Sequence, residues 1–277
     1  MTRLIAALCL VALTGPGAAY ATERDVRMTA GRTFQPLTLN ILVGDTVRWT
    51  NFSIEEHDVE GPAWGSPEPI QPSGGSWVRP DPFVDLGTEL YECTIHPTME
   101  GAIAVHHVYL RGPATTVLFG NAMSFNGLAP EGETVEIQRN VNGTWTTVDS
   151  VVAGANDAFA KGVKPAVPGS YRAHVSAGDS PAVTVSVKPR VTLAKKRLPT
   201  KRTRVTATAA PNRAGAVAVL QRKKPAGWAV LASKRLNTSS KAAFVVRPPK
   251  GTWRVRVIVK KSGGYAAGQS GVVAVKR

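Results

Sequence analysis

The apolar positions of this chain recur at every second residue, in short runs separated by turn formers, and that period belongs to strands. Leu37, Leu39 and Ile41 alternate with Thr38, Asn40 and Leu42, the spacing that sends successive side chains to opposite faces of a sheet. Gly44-Asp45 supplies a turn, and Thr46-Val47-Arg48-Trp49 restarts the extended pattern. Between Gly61 and Pro82 backbone breakers accumulate, in Gly61-Pro62, Ser66-Pro67, Gln71-Pro72-Ser73-Gly74-Gly75 and Arg79-Pro80-Asp81-Pro82, which predicts loops with short edge pieces. Extended runs are expected again over 88–93 and 102–105. Far downstream, Val255, Val257 and Val259 stand against Arg254, Arg256 and Ile258. The expected fold class is all-β.

The second half of the chain repeats itself. Gln138-Arg139, Trp145 and Gly169-Ser170-Tyr171-Arg172-Ala173-His174-Val175 recur as Gln221-Arg222, Trp228 and Gly251-Thr252-Trp253-Arg254-Val255-Arg256-Val257, at offsets of 83, 83 and 82 residues. Pro/Gly turns between short alternating runs predict two small antiparallel sandwiches, and both resemble, in general outline, the immunoglobulin-like domains of bacterial surface proteins. Neither contains a Cys, so each must rest on its sheet-to-sheet core. A length of 277 residues suggests about two domains at roughly 150 residues each. The repeat raises the expectation to three, over 22–112, 113–190 and 191–277.

Ahead of these, Arg3 precedes an apolar run from Leu4 to Leu13, and Ala19-Tyr20-Ala21 fits a small-x-small cleavage site. Residues 1–21 are therefore expected to be a secretory signal peptide, which makes the protein exported: periplasmic, cell-wall-associated or extracellular. The run is short for a membrane span, and no later segment approaches the roughly 20 apolar residues a spanning helix needs. No transmembrane segment is expected in the mature chain.

The chemistry concentrates in Cys93-Thr94-Ile95-His96-Pro97-Thr98-Met99, where a thiolate, an imidazole and a thioether stand at three-residue steps. A second imidazole, His57, lies upstream in Glu55-Glu56-His57-Asp58-Val59. Cu(I) prefers sulfur and Cu(II) prefers nitrogen, so a site that must hold both uses two imidazoles, one thiolate and a weak thioether. His57, Cys93, His96 and Met99 are the candidate ligands for one copper ion of type 1. An ordinary buried thiol is the competing reading of Cys93. Against it, Cys9 lies in the expected signal peptide, so Cys93 would enter an oxidising compartment unpaired. Zinc is a weaker rival, because its sites rarely recruit Met.

The stretch from about Phe34 to Val105 resembles the cupredoxin family, and its C-x2-H-x2-M loop is similar to that of the amicyanin and plastocyanin branch. Three segments carry the resemblance: Val43-Gly44-Asp45-Thr46-Val47-Arg48-Trp49-Thr50-Asn51, the His57 segment, and Tyr91-Glu92-Cys93-Thr94-Ile95-His96-Pro97-Thr98-Met99-Glu100-Gly101. It implies a Greek-key β-sandwich with copper near one end, His57 from a strand end and the other three ligands from the loop joining the last two strands. Relatives usually carry Asn directly after the first His ligand, where it ties the ligand loops together. This chain has Asp58, to which Thr94 is placed to donate.

Charge then separates the parts. Residues 22–112 hold 6 basic and 13 acidic side chains, 113–190 hold 6 of each, and 191–277 hold 21 basic and no acidic residues. The overall +15 thus belongs to the last unit, which suits an anionic cell-wall polymer or membrane surface; a solvated face that only aids solubility is the bland alternative. Nucleic acid is disfavoured as a partner, since no recognition motif is present. A multicopper oxidase needs H-x-H pairs, and His57, His96, His106, His107 and His174 form none. Adjacent strand residues point to opposite faces, so His106 and His107 are read as structural. The expectation is a protein that is not an enzyme, an exported one-electron carrier working with a redox partner protein. Glu55, Glu56, Glu60, Glu92 and Glu100 would steer that partner, and Ile95, Pro97 and Trp64 would form its docking surface. A copper-sequestering or envelope-binding protein is the alternative.

Overall fold

The computed structural model of the protein describes residues 21–113, 116–248 and 251–276. Regular structure there is strand throughout, apart from one 3-10 turn at Ala155–Asp157, so the all-β expectation holds. The expected signal peptide, save Ala21, lies outside the described residues. Among the described residues no helix is long and apolar enough to cross a membrane. The chain divides into two compact units, the first ending at Val105 and the second beginning at His106.

The first unit runs β1 (Glu23–Thr29), β2 (Thr33–Gln35), β3 (Thr38–Leu42), β4 (Thr46–Asn51), β5 (Ser76–Val78), β6 (Gly87–Glu92) and β7 (Glu100–His106). They form two sheets, ordered β2-β1-β4-β5 and β3-β7-β6. The breaker-rich stretch 61–82 contributes only β5 and isolated bridges. Along β4 the alternation is strict: Val47, Trp49 and Asn51 are buried while Thr46, Arg48 and Thr50 are not. Val26 and Met28 of β1, Val47 and Trp49 of β4, Ile41 of β3 and Ile103 and Val105 of β7 share one core with Phe34, Phe83 and Tyr91. Trp49 anchors it, with ring centroids 5.4 Å from both Trp64 and Trp77 and 5.5 Å from Tyr91. Tyr91 pairs with Gly101 across β6 and β7, and a Cβ at Gly101 would sit 2.4 Å from the tyrosine ring. Only glycine lets the strand that follows the 93–99 loop approach so closely.

The alternation expected for β3 slips at both ends. Leu37 is 65% exposed and lies outside the strand, whereas Ile41 and Leu42 are both buried. At the Leu42 end the cause is Asp45, whose buried carboxylate accepts from the backbone N–H of Leu42 (3.0 Å) and of Thr22 (3.1 Å) and pairs with Arg24 (2.8 Å). A buried carboxylate must be satisfied in this way, and the turn it gathers carries Leu42 inward.

The second unit holds the duplication. Its first copy has a three-stranded sheet of Ala158–Val163, Met123–Leu128 and Tyr109–Arg111. Its second sheet orders Thr144–Val152, Thr134–Val141 and Gly169–Val175, with Gly178–Asp179 and Val183–Val185 both on the last of these. The second copy repeats the plan with Lys241–Val246, Arg202–Ala210 and Arg190–Leu198, then Gly227–Arg235, Val217–Lys224 and Thr252–Val259, flanked by Gly268–Gln269 and Val273–Lys276. Even the irregularity recurs, as a register shift between Ile137 and Gln138 and again between Leu220 and Gln221. Each copy has its own apolar core.

One sequence alignment is corrected by the pairing. Gln138 faces Arg172 and Gln221 faces Arg256, so Arg172 corresponds to Arg256 and not to Arg254. A shift of two residues keeps every side chain on the same face of a strand, which is why the motif match misplaced it. The copies also interlock: Tyr265, from the second, is buried in the core of the first and donates its hydroxyl to the carbonyl of Ala166 (3.0 Å).

Candidate metal centre

Three elements meet at one end of the first unit. His57 lies on the segment after β4, held by a backbone bridge to Ile70. Cys93 directly follows β6, and His96 and Met99 lie on the loop that returns to β7. That loop is closed by backbone bonds from Cys93 N to Met99 O (2.9 Å), His96 N to Cys93 O (3.1 Å) and Met99 N to His96 O (2.8 Å). The two ligand segments are stitched by reciprocal backbone bonds between Glu60 and Glu92 (2.8 and 2.9 Å). Beyond them, Asp58 accepts from the Thr94 N–H (2.6 Å) and from the Thr94 hydroxyl. The Asp58–Thr94 tie therefore forms in this chain although Asp replaces Asn.

His57 Nδ1 and His96 Nδ1 each lie 3.6 Å from the Cys93 sulfur and 3.1 Å from one another. Among the described residues this is the one cluster of metal-ligating type found by mutual distance. His57 and Cys93 are fully buried, and the His96 side chain is 11% exposed. Met99 is buried in the same core cluster as Cys93. His106 and His107 join no such group: the His106 ring stacks on Tyr109, 5.2 Å between centroids, in keeping with a structural role.

Hydrogen bonding fixes which ring nitrogens face the cluster. Asn51 is buried at the end of β4 and uses its whole amide: Nδ2 donates to the carbonyls of Glu55 (2.7 Å) and Ile70 (2.9 Å), and Oδ1 accepts from the Ser53 N–H (2.9 Å). The Ser53 hydroxyl stands 2.8 Å from both Asn51 Oδ1 and the Glu55 carbonyl, neither of which has a proton to give. Its single hydrogen is thus committed, and its oxygen must accept from the Glu55 N–H (3.1 Å) and from His57 Nε2 (3.0 Å). His57 consequently carries its proton on Nε2 and turns a lone pair toward Cys93. On the other ring, His96 Nε2 faces a Glu55 carboxylate oxygen at 3.3 Å, and Arg32 clasps that carboxylate at 2.7 and 2.8 Å. An imidazole whose outer N–H meets a carboxylate is oriented as metal-bound histidines usually are.

The cluster therefore fits a cation. Two Nδ1 atoms 3.1 Å apart each stand 3.6 Å from a thiol, and once the protons shared among them leave, the same three atoms offer two nitrogen lone pairs and a thiolate to one cation. Burial, and secondarily His96, depress His57 below the usual histidine range, and burial pushes the Cys93 thiol up. Without metal, His57 is neutral and Cys93 protonated near neutrality, so loading must expel the thiol proton. Burial also works against the Asp58 charge, but hydrogen bonds from the Thr94 and Cys93 side chains and from the Thr94 and Ile95 backbone outweigh it and hold the carboxyl below its ordinary value. Asp58 is ionised at neutral pH.

Trp64 serves the core instead of a docking surface: it packs against Trp49, Phe83 (5.7 Å) and Tyr91 (6.0 Å) and donates its indole N–H to Glu89 (2.8 Å). Sequence reasoning missed Ser53 and Asn51, and it gave Glu55 only a steering role.

No family model matches the chain, and no curated protein matches it. Among solved structures, the purple cupredoxin from Nitrosopumilus maritimus aligns at 26% identity over 30% of this chain and 98% of its own, with a TM-score of 0.27. An oxidised variant of amicyanin aligns at 28% identity over 32% of this chain and 85% of its own, TM-score 0.27. A reduced Cu(I) amicyanin variant at pH 4 gives the same identity and coverage, TM-score 0.26.

Proposed function

We propose that the first unit, ending at Val105, is a copper-binding electron-transfer domain of cupredoxin type, with His57, Cys93, His96 and Met99 holding one type 1 copper ion. The observation that carries this reading is the convergence of two oriented imidazole nitrogens and a thiol within 3.6 Å in a buried pocket. Copper bound there would supply a one-electron couple. The chain's part is to hold the donors rigidly, through Ser53 and Asn51 behind His57 and through Glu55 and Arg32 behind His96, and to exclude water from the thiolate. Of the three clustered side chains only His96 reaches solvent, which makes its edge the route for electrons. Exposed apolar residues on the two flanking loops, Ile95 (43%), Phe52 (57%) and Ile54 (88%), offer a redox partner a dry contact around it. We further read the two copies of the second unit as immunoglobulin-like domains, the second, over 191–277, attaching an exported protein to an anionic envelope surface.

The test is the visible spectrum of the Cu(II)-loaded protein. An intense thiolate-to-copper band that bleaches on reduction supports the assignment, and a colourless loaded protein overturns it. Two variants refine it. Met99→Leu should keep the colour and raise the reduction potential, because loss of a weak axial donor favours Cu(I); an unchanged potential would remove Met99 from the ligand set. Asp58→Asn should also raise the potential at neutral pH, since an ionised carboxylate beside the site favours Cu(II). Because the Asp58 carboxyl titrates below its ordinary value, the gap between the two proteins should persist as pH falls through the usual carboxylate range and close only beneath it. Equal potentials across a pH series would take Asp58 out of the account.

A further inference from the structure

The two copies of the second unit are one fold with different charge on one sheet face, and each serves as the comparison for the other. In the first copy Arg172 stacks on Trp145, 4.4 Å from guanidinium to ring, and its Nε donates to Gln138 (2.9 Å). Its Nη1 donates to Asp179 at 2.6 Å, a carboxylate that also faces His174 at 2.8 Å. In the second copy Arg256 stacks on Trp228 at 4.1 Å and its Nε donates to Gln221 at 2.9 Å. The carboxylate is gone: Gln269 stands opposite Ile258 where Asp179 stands opposite His174. Glu136, the other acid on the first face, is likewise replaced by Val219. Cations have been added around the gap, Lys223 where the first copy has Asn140 opposite its tryptophan, and Arg254 where it has Ser170. Lys223 reaches 5.8 Å from the Trp228 ring, and among the described residues no carboxylate pairs with Arg256.

We propose that this face is a binding site for a carboxylate-bearing polysaccharide, with Arg256 receiving from the ligand the carboxylate that Asp179 gives Arg172. The inference rests on the reading of 191–277 as the attachment domain and names its ligand. A guanidinium with one edge held by an amide presents its remaining N–H groups as a fork suited to a planar carboxylate. Arg254 and Arg256 lie two residues apart on one strand, a step of about 7 Å, and Lys223 on the neighbouring strand lies across from Arg254, so the three offer a compact group of cations to a polymer acidic at each repeat. Beside them Trp228 and the 62% exposed Val230 form an apolar ledge for the C–H face of a sugar. These cations, fixed to the strands of one sheet, recognise spacing, which a fluid lipid surface does not supply.

The experiment measures binding of the full chain to immobilised polygalacturonate across a salt series, with neutral dextran, anionic phosphatidylglycerol vesicles and a single-stranded oligonucleotide as comparators. Polygalacturonate is expected to bind most tightly, with an affinity that falls as salt rises. Arg256→Gln should weaken it roughly tenfold or more, the worth of one charge-assisted hydrogen-bonded contact. Gln269→Asp should weaken it comparably while leaving Arg256 in place, because the fork is then filled as in the first copy. Arg172→Gln should change nothing, and unchanged melting would show that the variants fold. If polygalacturonate binds but both second-copy variants bind like the parent, or if vesicles or oligonucleotide bind as tightly, this site is overturned while attachment through general charge survives. If no polyanion binds, the attachment reading falls with it. The copper spectrum is independent of every outcome.

Discussion

Cys93→Ser should abolish the visible band of the copper-loaded protein and its reversible one-electron couple altogether, while the melting temperature of the metal-free protein stays close to that of the parent. A hydroxyl is a poor donor to Cu(I) and gives no thiolate charge-transfer transition, so the loss is complete in kind. The fold should survive because serine is nearly isosteric with cysteine, and its hydroxyl gains what the thiol lacks, a strong hydrogen bond to the lone pair of His57 or His96 3.6 Å from the sulfur it replaces. Retention of the band would mean that another group supplies the colour. Loss of the fold in the metal-free variant would instead make Cys93 a packing residue.

The second large effect is expected at a residue that touches no metal. Asn51→Ala removes four hydrogen bonds that join the end of β4 to the Ser53–Glu55 turn and to Ile70, in a fully buried place. Unsatisfied buried groups cost about 1–3 kcal/mol each, so a loss of about 3 kcal/mol, or roughly 10–20 °C in the melting temperature of a unit this size, is the expected result. Copper affinity should fall as well, by roughly 10–100-fold, because the Ser53 hydroxyl loses one of its two acceptors and the Ser53–Glu55 turn that orients His57 loses its anchor on β4. Ser53→Ala separates the two consequences, lowering affinity with a smaller effect on melting. Measured by calorimetry and by competition with a copper chelator, an Asn51→Ala protein with both quantities unchanged would show that His57 is oriented by its backbone bridge to Ile70 alone.

Much of the site was legible because its chemistry is local. Cys93 and His96 fall three residues apart, and the structure brings both together with His57; Met99, buried in the same core as Cys93, rests on the motif alone. His57 was reachable as well, as an imidazole upstream of the loop and by the resemblance of its surroundings. Ser53 and Asn51 were not, since serine and asparagine at a strand end are ordinary turn formers, and only the fold shows that their hydrogen bonds close onto an imidazole. The parallel pairing of β1 with β4 was illegible for a related reason: a strand's alternation states which face is buried and nothing about its neighbour. The same indifference explains the displaced repeat, where a two-residue slip left every apolar residue of Thr252–Val259 on its proper face. Leu42 shows the opposite case, a periodic pattern overruled by one buried carboxylate at Asp45.

Tyr265 gives the duplication a meaning its sequence conceals. Two copies that arise by repetition begin as autonomous modules, each complete and each dispensable, yet this side chain has become an organ of the other copy: its ring fills the first core and its hydroxyl satisfies the carbonyl of Ala166. The unit of inheritance and the unit of folding have thereby parted. Once one copy's interior depends on a residue supplied by the next, neither can be lost, shuffled or transplanted without damage to its twin, and the pair is bound to evolve as a single object even while the faces it shows to solvent diverge.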